Sequence, residues 1–151
     1  MKRILSLVIF IMMLVSLIGC TTSKTTLSNN INLSKYKYAS VINNETYYIP
    51  AELMEYEIQL FDAVESSRLQ LVSDLRIYDL SHEQQSQLLL VKYGVQQNND
   101  EAIVTVNFID YMSGRPVASC RGAYGLGFDR AGDLKGAIKR VTKQISETFN
   151  K

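Results

Sequence analysis

The sequence predicts an α+β domain: a two-layer sandwich of element order β-α-β-β-β-α, with two main helices on one face of a mostly antiparallel sheet. Three observations carry that expectation. Leu134, Ile138, Val141, Ile145 and Phe149 recur at spacings of three and four, the stripe of a helix buried along one side. Val104, Val106 and Phe108 recur at spacings of two, the period of a half-buried strand. Two polar stretches, 96–101 and 112–115, separate three consecutive apolar runs, as strands joined by tight connections require. Helices with one apolar stripe each must bury it against something, and a sheet built of hairpins offers one face.

The first element is not part of that domain. Lys2 and Arg3 precede an apolar run, Ile4 to Ile18, broken only by Ser6 and Ser16. As a helix the run would rise about 22 Å, short of the roughly 30 Å hydrocarbon core of a bilayer. It therefore reads as the apolar region of a signal peptide rather than a membrane span. The run ends Leu17-Ile18-Gly19-Cys20, which resembles the lipobox of bacterial lipoproteins. The resemblance implies removal of residues 1–19, a diacylglycerol thioether on Cys20 and acylation of the new amino group. Two or three acyl chains, at about 0.8 kcal/mol per buried methylene, anchor where one chain would not. Membrane lipid, held through Cys20, is thus the first expected partner. Thr21, not Asp, follows the cysteine; by resemblance to enterobacterial sorting this favours the outer membrane, with the domain facing the periplasm. The competing reading is an ordinary secretory leader with an incidental cysteine. A Cys directly behind Leu-Ile-Gly argues against it.

Residues 20–34 are polar and rich in Thr, Ser and Asn, which suggests a flexible tether. A single domain is expected over 35–151. Residues 35–42 mix Tyr with β-branched side chains and read as a strand, closed by the turn signal Asn43-Asn44. Pro50 suits the first turn of a helix running to about Ser67. Its core stripe is expected at Met54, Ile58, Phe61 and Val64, widened by Leu53 and Leu60, with Glu52, Glu55 and Asp62 outward. Residues 69–72 make a short strand; 75–80 fit either a short helix or an extended link. Ser81-His82-Glu83-Gln84 has the form of a capping box. Strands follow over 87–95, 102–111 and 116–124, with Pro116 at the permitted first position. Asp129 is placed to cap the final helix.

The strand–turn–strand Val106 to Gly125, with Asp110, Ser113-Gly114-Arg115 and Val117, is similar to hairpins of small Gram-negative envelope lipoproteins. Their domain type resembles that of the curli-secretion lipoprotein and the amino-terminal domain of TolB. The resemblance implies a fold and an envelope location, and it brings no functional residue with it.

Charge and cysteine usage narrow the function classes. The formal charge of the full chain is +1, and losing Lys2 and Arg3 makes it −1, so the total does not suggest nucleic-acid binding. The halves differ: 45–83 is acid-rich, and 115–143 holds seven bases against Asp129 and Asp133. Packing of the halves would mix those charges on one surface; left unmixed, the bases would make a face for lipid headgroups or an acidic partner. With Cys20 taken by lipid, Cys120 has no intrachain partner, and His82 is the sole histidine. No spacing links the two as nucleophile and base. In the return strand Ala118, Cys120, Gly122 and Tyr124 share one face, which should be the buried one.

Three further groups are weighed and set aside. Gly122, Gly125 and Gly127 lie between a strand and a helix, where a phosphate loop would sit, but their order does not match a dinucleotide fingerprint and no Lys-Ser/Thr follows. Glu52, Glu55, Asp62 and Glu65 are acids on the outer face of a helix, without His or Cys to support a metal. Tyr36, Tyr38, Tyr47 and Tyr48 fit strand propensity, with a docking surface as the sharper alternative. No catalytic, cofactor or metal residues are assigned. The expected role is a non-enzymatic envelope lipoprotein that binds other envelope proteins; the alternative is a periplasmic module for small ligands or lipid.

Overall fold

A computed structural model describes residues 22–42 and 51–150, without the side chains of 51–53. Cys20 and the leader, Tyr47, Tyr48 and Pro50 lie outside the described residues, as do the side chains of Glu52 and Leu53. Thr22–Leu27 (β1), Tyr38–Val41 (β2), Gln70–Leu71 (β3), Leu88–Gln97 (β4), Ala102–Asp110 (β5) and Pro116–Tyr124 (β6) form one sheet, ordered β1-β6-β5-β4-β2-β3. The helices are Ala51–Glu65 (α1), His82–Ser86 (α2) and Arg130–Thr148 (α3). Antiparallel pairing joins β1 to β6, β6 to β5 and β5 to β4. β2 pairs in parallel with both β4 and β3. Parallel neighbours need a crossover, and α1 supplies it between β2 and β3. The α+β two-layer architecture expected from the sequence is the one observed.

The elements start and stop for local reasons. Ser81 Oγ accepts from Gln84 N at 3.3 Å while Ser81 N donates to Gln84 Oε1 at 2.9 Å, the reciprocal capping box read from the sequence. Asp129 Oδ1 accepts from Gly132 N at 2.7 Å and caps α3. At the β5–β6 turn, Asp110 Oδ1 accepts from the backbone N and the hydroxyl of Ser113, each at 2.8 Å. Gly114 then takes φ +67°, a conformation few other residues adopt at low cost.

The core lies between the sheet and the two long helices. β4 contributes Leu89 and Val91, β5 contributes Val104, Val106 and Phe108, and α3 contributes Leu134, Ile138, Val141, Ile145 and Phe149. The α3 stripe is therefore the one the sequence predicts. Phe108 and Phe149 meet with ring centroids 4.5 Å apart and tilted, a favourable aromatic arrangement. Arg68 clamps the far end: it donates to the carbonyls of Tyr36, at 2.6 Å, and Leu33, and lies over the Phe149 ring.

Three expectations are corrected. First, residues 20–34 are not a tether throughout: Thr22–Leu27 is an edge strand, and Leu33–Lys35 is a 3-10 turn. Among the described residues the folded unit already includes Thr22, ahead of Lys35. Three threonines give β1 adequate strand propensity, and the free edge of β6 supplies its hydrogen bonds. Second, only part of the stripe expected for α1 faces the core. Leu60 and Val64 are buried as expected and Ala63 joins them, but Met54, Ile58 and Phe61 are 58%, 62% and 37% exposed. Third, 35–42 pairs only over Tyr38–Val41. Of the two readings left open for 75–80, the short helix is the one observed, as the 3-10 helix Asp74–Asp79.

Candidate functional site

The face of α3 that looks away from the core carries Lys135, Lys139 and Lys143, four residues apart and so in line, with Arg140 three residues before Lys143 beside them. Beneath them the helix sits unusually close to the sheet. A Cβ on Gly122 would collide with Ala137 O and would lie 2.7 Å from Val141 N, and a Cβ on Gly136 would enter the Tyr124 ring. The two glycines thus let Tyr124 lie flat against the helix, and the Arg140 guanidinium covers that ring at 4.4 Å from its centroid.

β1 builds the opposite wall. Its odd residues face α3: Thr25 Oγ1 donates to Gln144 Oε1 at 2.6 Å, and Ser23 lines the space beside the helix. Its even residues face away, and Thr22 Oγ1 accepts from Arg121 at 3.2 Å on that side. The result is an open groove of about 620 Å³ between the β1 edge and α3. Its lining includes four cationic side chains and no carboxylate. Lys143 is partly offset by Glu147, at 3.7 Å, one turn beyond the groove. At this groove the acid-rich and base-rich halves do not mix, against the simple expectation from packing.

The other residues singled out in the sequence fall into place as structure. Tyr36 is buried, and its hydroxyl donates to Asp110 Oδ2 at 2.9 Å. Burial and the neighbouring carboxylate both push the Tyr36 phenol well up. Lys35 Nζ reaches the same Asp110 oxygen at 3.2 Å. Burial alone would raise the Asp110 pKa, but bonds from Ser113, Tyr36 and Lys35 outweigh it and bring the carboxyl down to about 2. Tyr38 is half-buried and accepts from Gln84 Nε2 at 3.4 Å. Buried Tyr36 is therefore a core residue and not part of a docking surface.

The glycine-rich junction does not form an anion cradle. Gly127 N donates to Asp133 Oδ1 at 2.7 Å, and Asp129 Oδ1 holds Gly132 N, so carboxylates of this chain already take one amide of the junction and one in the first turn of α3. Gly125 would press a Cβ into Asp100 O, which explains its residue type by close approach. Glu55, Asp62 and Glu65 are exposed on α1. Glu57, not singled out in the sequence, accepts from the Tyr93 hydroxyl at 2.7 Å and ties α1 to β4. Among the described residues no group of three or more His, Cys, Asp and Glu could hold a metal ion.

Cys120 is fully buried in β6, near Thr148 Oγ1 at 3.7 Å and Thr25 Oγ1 at 4.0 Å. Burial pushes its thiol up, the opposite of what a nucleophile needs. His82 lies exposed on α2, a different element from the thiol. Among the described residues no helix is long and apolar enough to cross a membrane.

No family model and no curated protein matches the chain. Solved structures do. Two crystal forms of the PelC dodecamer from Paraburkholderia phytofirmans, one of them a point variant, align over 87% of this chain and 99% of theirs. Both give a TM-score of 0.56, at 17% and 16% identity. A PDZ domain protein from Parabacteroides distasonis aligns over 87% of this chain and 36% of its own, with a TM-score of 0.54 and 12% identity. At these identities the likeness is one of fold.

Proposed function

We propose that this chain is an envelope lipoprotein that acts without catalysis, by docking its α+β domain onto other envelope proteins. On this reading the leader is cut before Cys20, lipid on Cys20 holds the protein to the outer membrane, and the domain faces the periplasm. The observation that carries the docking role is the outer stripe of α1. Met54, Ile58 and Phe61 are large, apolar and more than one-third exposed, at spacings of four and three. An apolar stripe set against water is what an interface leaves when its partner is away. The α3 groove, open to solvent and lined by four bases, is unlike the enclosed pockets that hold small ligands. PelC, the similar fold, is a dodecamer, so further copies of this chain are the first partner to test.

The anchor rests on Leu17-Ile18-Gly19-Cys20 behind an apolar run. Feeding cells a fatty-acid analogue should label the wild type and leave Cys20→Ser unlabelled; equal labelling of both would remove the anchor. For docking, the detergent-solubilised mature protein should associate beyond the monomer in light scattering and cross-linking. Ile58→Asp should abolish that association with unfolding unchanged. Identical association of the two proteins would mean that α1 is not the interface.

A further inference from the structure

We infer that the groove between β1 and α3 is a seat for anionic phospholipid headgroups of the membrane that holds the protein, an inference that rests on lipidation of Cys20. The starting point is the length of chain between anchor and fold. β1 begins at Thr22, and Ser23 already lines the groove. Two residues of fully extended chain span at most about 7 Å, so the lipid-bearing Cys20 stays within that reach of the sheet edge. A flexible tether would let the domain wander from the bilayer. An edge strand starting at Thr22 pins it there, with the end of β1 that borders the groove turned to the membrane.

The charge of the groove suits what it then faces. Lys135, Lys139, Arg140 and Lys143 line it with no carboxylate among them. Exposed charges interact over about 10 Å at 0.1 M salt, so bases this near the anchor lie within range of the headgroup layer. Arg140 is held over Tyr124 and by Gly136 O at 3.3 Å, which fixes one cation at the groove floor. The three lysines are exposed on long stems and can extend to phosphate. Anchor and groove then act as two signals on one membrane: acyl chains hold the protein, and the bases set how the domain leans.

The test uses the mature lipidated protein carried by its own anchor on two kinds of vesicle, phosphatidylcholine alone and phosphatidylcholine with phosphatidylglycerol. An impermeant amine reagent reads the accessibility of each lysine, followed by peptide mass. With phosphatidylglycerol, modification of Lys135 and Lys139 should slow at least about fivefold, equivalent to about 1 kcal/mol, the strength expected of a base at an anionic surface. Raising salt should restore the rate. Lys92, exposed on the opposite face of the sheet, should react alike on both vesicles. Lys139→Gln with Lys143→Gln should relieve the protection of Lys135 while the protein stays vesicle-bound. Equal rates on the two vesicle types, for protein that remains bound, would overturn the headgroup seat and leave the anchor standing. Protection by inorganic phosphate or a soluble anionic peptide on phosphatidylcholine, equal to that by phosphatidylglycerol, would overturn it too. Intact mass reports the Cys20 adduct separately, and its absence would overturn both readings.

Discussion

Asp110 joins two parts of the chain through one carboxylate: its own turn through Ser113, and the segment before β2 through the neighbouring Lys35 and Tyr36. It is buried, so its bonds stand in a low-dielectric setting where each counts for more. Its folded pKa of about 2 lies below the ordinary 3.8, so it favours the folded state whenever it is ionised. That contribution is complete above about pH 4 and is lost as the pH falls toward 2, on the order of 2 kcal/mol in all. Denaturant titrations between pH 5 and 2 should therefore show an acid limb in the wild type that Asp110→Asn flattens; an unchanged limb would place the acid sensitivity elsewhere. Asp110→Ala should cost more at neutral pH, because the buried Tyr36 hydroxyl loses its acceptor, a penalty of about 1–3 kcal/mol. The turn at Ser113-Gly114 was readable in the sequence, since Asp, Ser and Gly are turn residues by their own chemistry. The bond from Tyr36 was not, because it closes a contact 74 residues apart.

The elements differ in how plainly the sequence announces them, and α1 and α3 show why. In α3 the apolar positions make a single stripe, so the buried face has one solution. In α1 there are two: Met54, Ile58 and Phe61 on one side, and Tyr56, Leu60, Ala63 and Val64 on the other. Periodicity fixes the helix but cannot choose between two apolar faces; the choice falls to packing of α1 against α3 and the sheet. Paired truncations measure this directly. Ile138→Ala and Leu60→Ala should each destabilise by about 2–5 kcal/mol. Lys139→Ala and Met54→Ala should stay within about 0.5 kcal/mol of wild type. If Met54→Ala were the costly one, the helix would be turned the other way. β1 was hidden for another reason: its strand has no apolar alternation, and only its threonines hinted at extended backbone. Its docking has a chemical reporter, since Thr25 lies over Cys120. The native thiol should resist a thiol reagent and react fully in denaturant, while removing residues 22–27 should bring native reactivity close to the denatured rate. Rapid labelling of the intact native protein would mean that β1 does not stay paired.

The whole molecule is closed by the contact between its first strand and its last one. Thr25 meets Cys120 across 95 residues of chain, and α3 packs on both. A fold whose decisive pairing is that distant must close a long loop before any bond rewards it, and such topologies fold in milliseconds to seconds rather than microseconds. A chain emerges from synthesis amino end first, so β1 is made while β6 and α3 still lie behind it. Through that interval β1 is a strand without a partner, open to every other emerging chain. Its makeup suits the wait: Thr22, Ser23, Lys24 and Thr26 are polar and exposed even in the finished sheet, and a lysine in mid-strand discourages pairing with strangers. Lys24→Val with Thr26→Val should consequently leave equilibrium stability nearly unchanged. Its refolding yield should fall as protein concentration rises, where that of the wild type stays level. The polarity that makes β1 look like a linker is, in the time before β6 arrives, what keeps an early strand from finding the wrong neighbour.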